Sequence, residues 1–161
     1  MNSFSHLPAH ARVWIYQANR RLSDAEVAEL DAAGNVFLSE WLSHGQKMHA
    51  GFKVLHNFFL IFSVDQTAVP PGGCSIDKSV RFVIEAGNKY GIDFTDRLQV
   101  AFKNNKGEIE VVHKNVFESL FREGKVSGNT EIFNNLIQTK EELEKEWLIP
   151  VSKSWLGPVL A

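Results

Sequence analysis

One side chain in this sequence is a ready nucleophile. Cys74 is the single cysteine of the chain. It follows Gly72 and Gly73 where a helix is predicted to begin, and there free N–H groups and the helix dipole favour a thiolate. Asp65 closes the preceding apolar strand, and His44, His49 and His56 are the histidines able to approach it. A hydrolase of the Cys–His–Asp kind, or a thiol-dependent transferase, is one reading of this set. The other is structural: free cysteine is usually interior, and a small buried residue lets a helix start close to a sheet. Asp77, three residues further on, raises a thiolate's pKa again.

The same segment reads as a binding loop without chemistry. Asp65 and Gln66 sit at the C-terminal end of a strand, where ligand-contacting groups collect. Gly72, Gly73, Cys74, Ser75 and Asp77 follow, and successive backbone N–H groups in such a loop can hold an anion. Capping of the loop's own backbone accounts for Asp65 and Gln66 equally. Ser127-Gly128-Asn129-Thr130 and Asn134-Asn135 are polar groups suited to line a pocket, with turn chemistry as the default account.

Two motifs approach those of nucleotide hydrolases and depart where it matters. Gly72-Gly73-Cys74-Ser75-Ile76-Asp77-Lys78-Ser79 nearly fits G-x-x-x-x-G-K-[ST], but Asp77 replaces the second glycine and brings a β-carbon and a negative charge to the phosphate position. Leu42-Ser43-His44-Gly45-Gln46 is one substitution from LSGGQ. It is expected to close a helix at Gly45 rather than open one, which turns the helix dipole the wrong way.

The remaining candidates narrow quickly. Histidines 6, 10, 44, 49, 56 and 113 form no metal-ligating spacing, and one cysteine rules out the cysteine-rich zinc sites, so neither metal nor cofactor is expected. Seventeen Lys and Arg against nineteen Asp and Glu leave a net charge of -2, with no basic field to draw in nucleic acid. Trp14, Tyr16, Trp41, Phe58, Phe59 and Phe62 are not interleaved with basic residues, so core packing explains them better than base stacking.

The elements that must position these groups follow from periodicity. Arg12–Gln17 reads as a strand. Ser23 and Glu26 form a capping box opening a helix with apolar residues at Val27, Leu30, Phe37, Leu38 and Trp41, and with Gly34 on the same face. Phe52–Leu55 and Phe58–Val64 are strands joined at His56-Asn57, the second apolar enough to be central. The loop 67–73 leads into a helix from about Ser75 to Tyr90, its core face expected at Ile76, Val80, Val83, Ile84 and Gly87. A hairpin over 98–113, a helix near 116–122, a strand or helix over 126–133, and a capping box at Thr139 and Glu142 opening an acidic helix to Trp147 complete the chain.

This order predicts an α+β protein with a ferredoxin-like βαββαβ core, an extra C-terminal hairpin strand and short C-terminal helices. One domain spans 1–161, with an N-terminal arm over 1–10 and an extended tail over 149–161. No basic segment precedes an apolar core at the N-terminus, and the longest apolar run falls short of the ~20 residues of a membrane span. A cytoplasmic protein without membrane insertion is expected, able to dimerise through its sheet.

Arg12-Val13-Trp14-Ile15-Tyr16-Gln17, Val64-Asp65-Gln66, Gly73-Cys74-Ser75-Ile76-Asp77 with Ser79-Val80-Arg81-Phe82, and Val126-Ser127-Gly128-Asn129 with Phe133-Asn134-Asn135-Leu136 resemble an uncharacterised family of small bacterial proteins. Its members are often given the label "ABC transporter ATPase". The resemblance runs over nearly the whole chain and implies no activity, while the two departures above argue against the label. The leading functional expectation is a non-enzymatic domain that binds a small molecule or a protein through its Asp65–Asp77 loop. The alternative is a thiol-dependent hydrolase or transferase using Cys74.

Overall fold

A computed structural model describes residues 3–67 and 69–160. Met1, Asn2, Ala68 and Ala161, which the expected arm, loop and tail include, lie outside the described residues. The chain folds as an α+β protein with antiparallel sheets. The first sheet has the order β1-β5-β4, from β1 (Arg12–Gln17), β4 (Ala50–Leu55) and β5 (Phe59–Val64). Every residue of β5 is buried, in keeping with its central place and near-continuous apolar run. β4 and β5 are joined at His56 and Asn57, whose φ values of 57° and 61° put both in the left-handed region that a tight hairpin turn requires.

Two long helices cover one face of this sheet. α1 (Asp24–Ser39) starts on the predicted capping box, with Ser23 and Glu26 each accepting from the other's backbone N–H. Gly34 on α1 lies so close to Phe52 that a β-carbon there would stand 2.1 Å from the ring. α2 (Gly73–Tyr90) ends at Gly91, whose φ of 67° is the left-handed cap that glycine favours. Its buried stripe is Ser75, Ser79, Val83 and Gly87, so Val83 and Gly87 of the expected face are buried, while Ile84 is exposed and Ile76 and Val80 are half-buried. Small side chains on that stripe let α2 approach closely, and Trp41 Nε1 donates to the Ser75 carbonyl at 2.8 Å. Between sheet and helices, the Phe62 ring meets Tyr16, Phe37, Trp41, Phe52 and Phe82.

After α1 the chain makes a small hairpin, β2 (Leu42–Ser43) and β3 (Gln46–Lys47). The expected helix end at Gly45 is therefore corrected. α1 stops at Ser39, and His44 and Gly45, at φ 51° and 78°, form the hairpin turn.

The second sheet has the order β7-β6-β8-β9, from β6 (Gln99–Lys103), β7 (Ile109–His113), β8 (Glu131–Phe133) and β9 (Leu148–Pro150). α3 (Lys114–Arg122) packs beside β6 and β7, with Phe117 fully buried against Phe102. Residues 131–133 resolve the open choice in favour of a strand. The two sheets meet through Val13, Phe58, Phe59 and Ile61 on one side and Ala101, Phe133 and Trp147 on the other. The first sheet supplies three strands of the expected order. The fourth, β6, pairs with β7 and β8 and not with β1.

Both chain ends depart from expectation. The expected arm forms a 3-10 turn at Ser3–His6 and buries Phe4 and Leu7. α4 (Lys140–Lys145) holds this turn down: the Lys140 ammonium, itself buried, donates to the Ser5 and Leu7 carbonyls at 3.3 and 2.8 Å. Thr139 caps α4, but the Glu142 carboxylate accepts from the Gln138 N–H and the Thr139 hydroxyl. The expected extended tail is instead β9, a 3-10 turn at Val151–Lys153 and a short helix, α5 (Gly157–Leu160). Its departure from an extended course has an apolar cause: Val151 and Leu156 are inserted beside Phe102, Phe117 and Ile132.

Candidate ligand cleft

β1 lies between two different neighbours. Toward β5 its pairing is continuous from Arg12↔Val64 to Gln17↔Phe59. The Ala18 N–H donates to the Phe58 carbonyl at 2.7 Å, so the even-numbered residues of β1 turn their backbone groups to β5. The odd-numbered residues turn theirs the other way. Ala11 and Val13 find partners there: Lys140 N–H donates to the Ala11 carbonyl, and Val13 N–H donates to the Gln138 carbonyl, both at 2.9 Å. Beyond them, the N–H and C=O of Ile15 and Gln17 have no hydrogen-bond partner among the described residues.

These unpaired groups face a cleft of about 780 Å³ between β1 and the segment 94–100, with residues 132–138 as its floor and Val80 of α2 and Trp155 at its rim. A volume of this size is typical of small-ligand sites. Because the cleft opens along the strand edge, Trp14, Ile15 and Tyr16 are all half-buried although they alternate between the two faces of the sheet. Three apolar side chains on its walls stand well into solvent, Leu98 at 49%, Leu136 at 66% and Trp155 at 36% exposure.

The charges in the cleft are unbalanced. Arg12 and Arg97 both line it, and neither lies within ion-pair distance of a carboxylate among the described residues. The Arg12 guanidinium sits 5.2 Å from the Trp14 ring centroid. Asp96, the acidic residue of the lining, is already engaged by the Leu98 N–H and the Gln99 side chain, which hold its carboxyl below the usual range. Burial pushes the Tyr16 phenol up, against the opposing pull of the Ser79 hydroxyl and the Arg97 charge. Tyr16 therefore stays protonated at neutral pH and offers an O–H donor.

A part-buried polar chain bounds the cleft at Gln17. Gln17 Nε2 donates to the Gln99 carbonyl at 3.2 Å, Asn135 Nδ2 donates to Gln17 Oε1 at 2.8 Å, and Trp147 Nε1 donates to Asn135 Oδ1 at 2.9 Å. This chain is the direct polar tie between β1 and β6, and it links both to the loop after β8. Asn135, a turn residue by default, here connects three elements. Asn134 by contrast makes a local turn, accepting from the Leu136 N–H.

The residues singled out in the sequence lie elsewhere; none of Asp65, Gln66, Gly72, Gly73, Cys74, Ser75 or Asp77 lines the cleft. Asp65 accepts from the Thr67 hydroxyl and N–H, which lower its pKa with smaller contributions from His10 and His49, and His10 Nε2 stands 3.8 Å away. Gly72 caps α2 without a side-chain bond of its own, and its N–H is taken by the Ser43 hydroxyl, which donates in turn to the Pro70 carbonyl. Ser75 is buried and bonds the Gly72 carbonyl, while Gln66, Gly73 and Asp77 are exposed.

Cys74 is exposed in the first turn of α2, so its expected burial is corrected; Ser75 is the small residue that turns inward. No hydrogen bond joins Cys74 to Asp65 or to a histidine among the described residues. His44 stands beside Gly72, His49 near Asp65, and His56 at the opposite end of β4 against Phe59, Phe133 and Trp147. No group of three or more His, Cys, Asp or Glu able to hold a metal occurs among the described residues. No helix among them is long and apolar enough to cross a membrane.

No protein-family model, no curated protein and no solved structure matches this chain. The cleft therefore stands on its geometry. Sequence reasoning missed it because its two walls come from strands far apart in the chain. A signal was available: Gln17, at the end of an apolar strand, is a polar residue that needs partners if buried.

Proposed function

We propose that this protein is a non-enzymatic binding domain and that its ligand enters the cleft between β1 and β6. One observation carries the reading: a strand edge with free backbone donors and acceptors opens into a cavity of ligand size. Natural proteins ordinarily pair, cover or charge such an edge. Here a cavity with apolar walls lies against it instead. The Asp65–Asp77 loop is the weaker candidate surface, since Thr67, Ser43 and the loop's own carbonyls already occupy most of its polar groups.

The test fills the cavity. Val80→Trp projects an indole from α2 into the cleft and should abolish binding of any compound that raises the melting temperature of the native protein. If such compounds still bind the variant, the site is elsewhere.

We read the β1-β5-β4 order as three strands of a ferredoxin-like sheet whose fourth position, beside β1, is left open. The likeness to small bacterial proteins labelled as transporter ATPases adds no activity to this. Asp77 replaces the glycine that a phosphate loop needs and lies one turn into α2, and Leu42–Gln46 is a hairpin and not the start of a helix.

A second reading has its own observation. Cys74 is solvent-exposed at the N-terminus of an 18-residue helix, the placement of a reactive thiol. The alkylation rate of the folded protein against pH separates the two. An apparent pKa below about 7 favours a thiol-dependent enzyme, and a value at or above about 8.5 removes it.

A further inference from the structure

Resting on the cleft reading above, we infer that the ligand is a short extended peptide segment ending in a free carboxylate, which adds a strand to the open edge of β1. The edge dictates the backbone part. Ile15 and Gln17 present N–H and C=O groups at the spacing of one strand face, which pair with an extended backbone and with few other chemistries. The edge is bounded at one end by the Val13–Gln138 bond and at the other by the Gln17–Gln99 bond. From Val13 to Gln17 a strand rises about 13 Å, which limits the inserted segment to roughly three or four residues.

The side walls dictate the rest. Alternate side chains of such a segment turn to the two faces of the sheet, and each face offers apolar cover: Trp14 on the side of the helices and Ile137 on the side of the second sheet, with Val80 and Leu136 also in the lining. The charge calls for an anion. Arg97 and Arg12 have no carboxylate partner among the described residues, and the Arg97 charge is felt at the Tyr16 hydroxyl. A terminal carboxylate beside Arg97 and Tyr16 completes a charge-assisted set that the protein leaves half-made. The edge left open between the Val13–Gln138 and Gln17–Gln99 bonds has room for only about three or four residues, which suits the end of a chain, where the free carboxylate is.

The experiment uses the full chain, isotopically labelled, and two libraries of N-acetyl tripeptides rich in Leu, Val and Phe, one with free C-terminal acids and one amidated. The acids should shift the amide resonances of Ile15 and Gln17. The amides should bind about tenfold more weakly, the loss of one charged hydrogen bond. Methylating the central peptide nitrogen should remove the binding. Arg97→Gln, at an exposed position, should bring the acids down to the level of the amides. Equal binding of the N-methylated and parent peptides overturns the strand-addition inference. So does a response of the same amides to benzoate or hexanoate but to no peptide, which leaves the cleft reading intact. No response at Ile15 and Gln17 to peptides or small carboxylates overturns both.

Discussion

The two long edges of β1 belong to the same residues and have opposite fates. On the β5 side every residue from Arg12 to Gln17 is in register, and the rings of Tyr16 and Phe62 close over the ladder from the helix side. On the β6 side, beyond Val13, one side-chain bond among the described residues, from Gln17, spans the gap. The first edge has no volume to give and the second has 780 Å³. A strand can thus be a core element and a recognition element at once, provided that its two edges are answered by different parts of the chain. The sealed edge holds Trp14 and Tyr16 in place, and that rigidity is what makes the open edge useful.

This contrast can be broken first from its sealed side. Phe62 is fully buried and touches five aromatic rings, so Phe62→Ala should cost about 4 kcal/mol in chemical denaturation and abolish cleft binding with it. Gly34→Ala places a methyl group inside the Phe52 ring position and should cost about 2 kcal/mol, despite alanine's better helix propensity. Hydrogen exchange should then speed up along β4 and β5.

Gln17→Ala acts on the open side. It leaves the Asn135 amide and the Gln99 carbonyl without their buried partner, at a cost of about 1–2 kcal/mol. Its sharper signature is local: protection should fall at Gln99 and Asn135 while β5 keeps its own.

The smallest effect is a pH dependence at the far junction of the two sheets. Burial against Phe133 and Trp147, with a smaller contribution from Lys103, lowers the His56 pKa below its ordinary 6.5. The unfolded chain therefore takes up this proton before the folded one does. Stability should decline as pH falls through 6.5 and level off below the folded pKa, and His56→Phe should remove that slope. The outer side of the ring stays in water, which keeps the effect small.

Much of the first sheet was legible in the sequence for local reasons. The apolar run Phe58–Val64, the His56-Asn57 turn and the Ser23–Glu26 box are each decided within a few residues, and each occurs, the strand starting one residue later than read, at Phe59. The buried face of α2 was read at Val83 and Gly87 but missed in its first two turns, because serine counts as polar in a periodicity argument. Ser75 and Ser79 are buried for their size, and their hydroxyls bond back to the Gly72 and Ile76 carbonyls. The Gly45 misreading has a similar root, since a glycine after a helix can as easily be a hairpin turn. The candidate cleft was not legible at all. Gln17 meets Gln99 across 82 residues and Asn135 across 118, and no short-range pattern encodes such a meeting. What the sequence did offer, a cysteine after two glycines, is a local signal, and the structure answers it locally with a capped, exposed helix end.

The tie from Lys140 to the Ser5 and Leu7 carbonyls spans 135 and 133 residues. The turn it holds covers β4, and the neighbouring bond from Val13 to Gln138 sets where the open edge begins. On a ribosome the first residues of this chain would emerge long before the lysine that secures them. The cleft, bounded by contacts of the same reach, would be the last part of the molecule to take shape. The core between the first sheet and its two helices needs nothing beyond Phe94, whereas the cleft waits for Gln138 and Lys140.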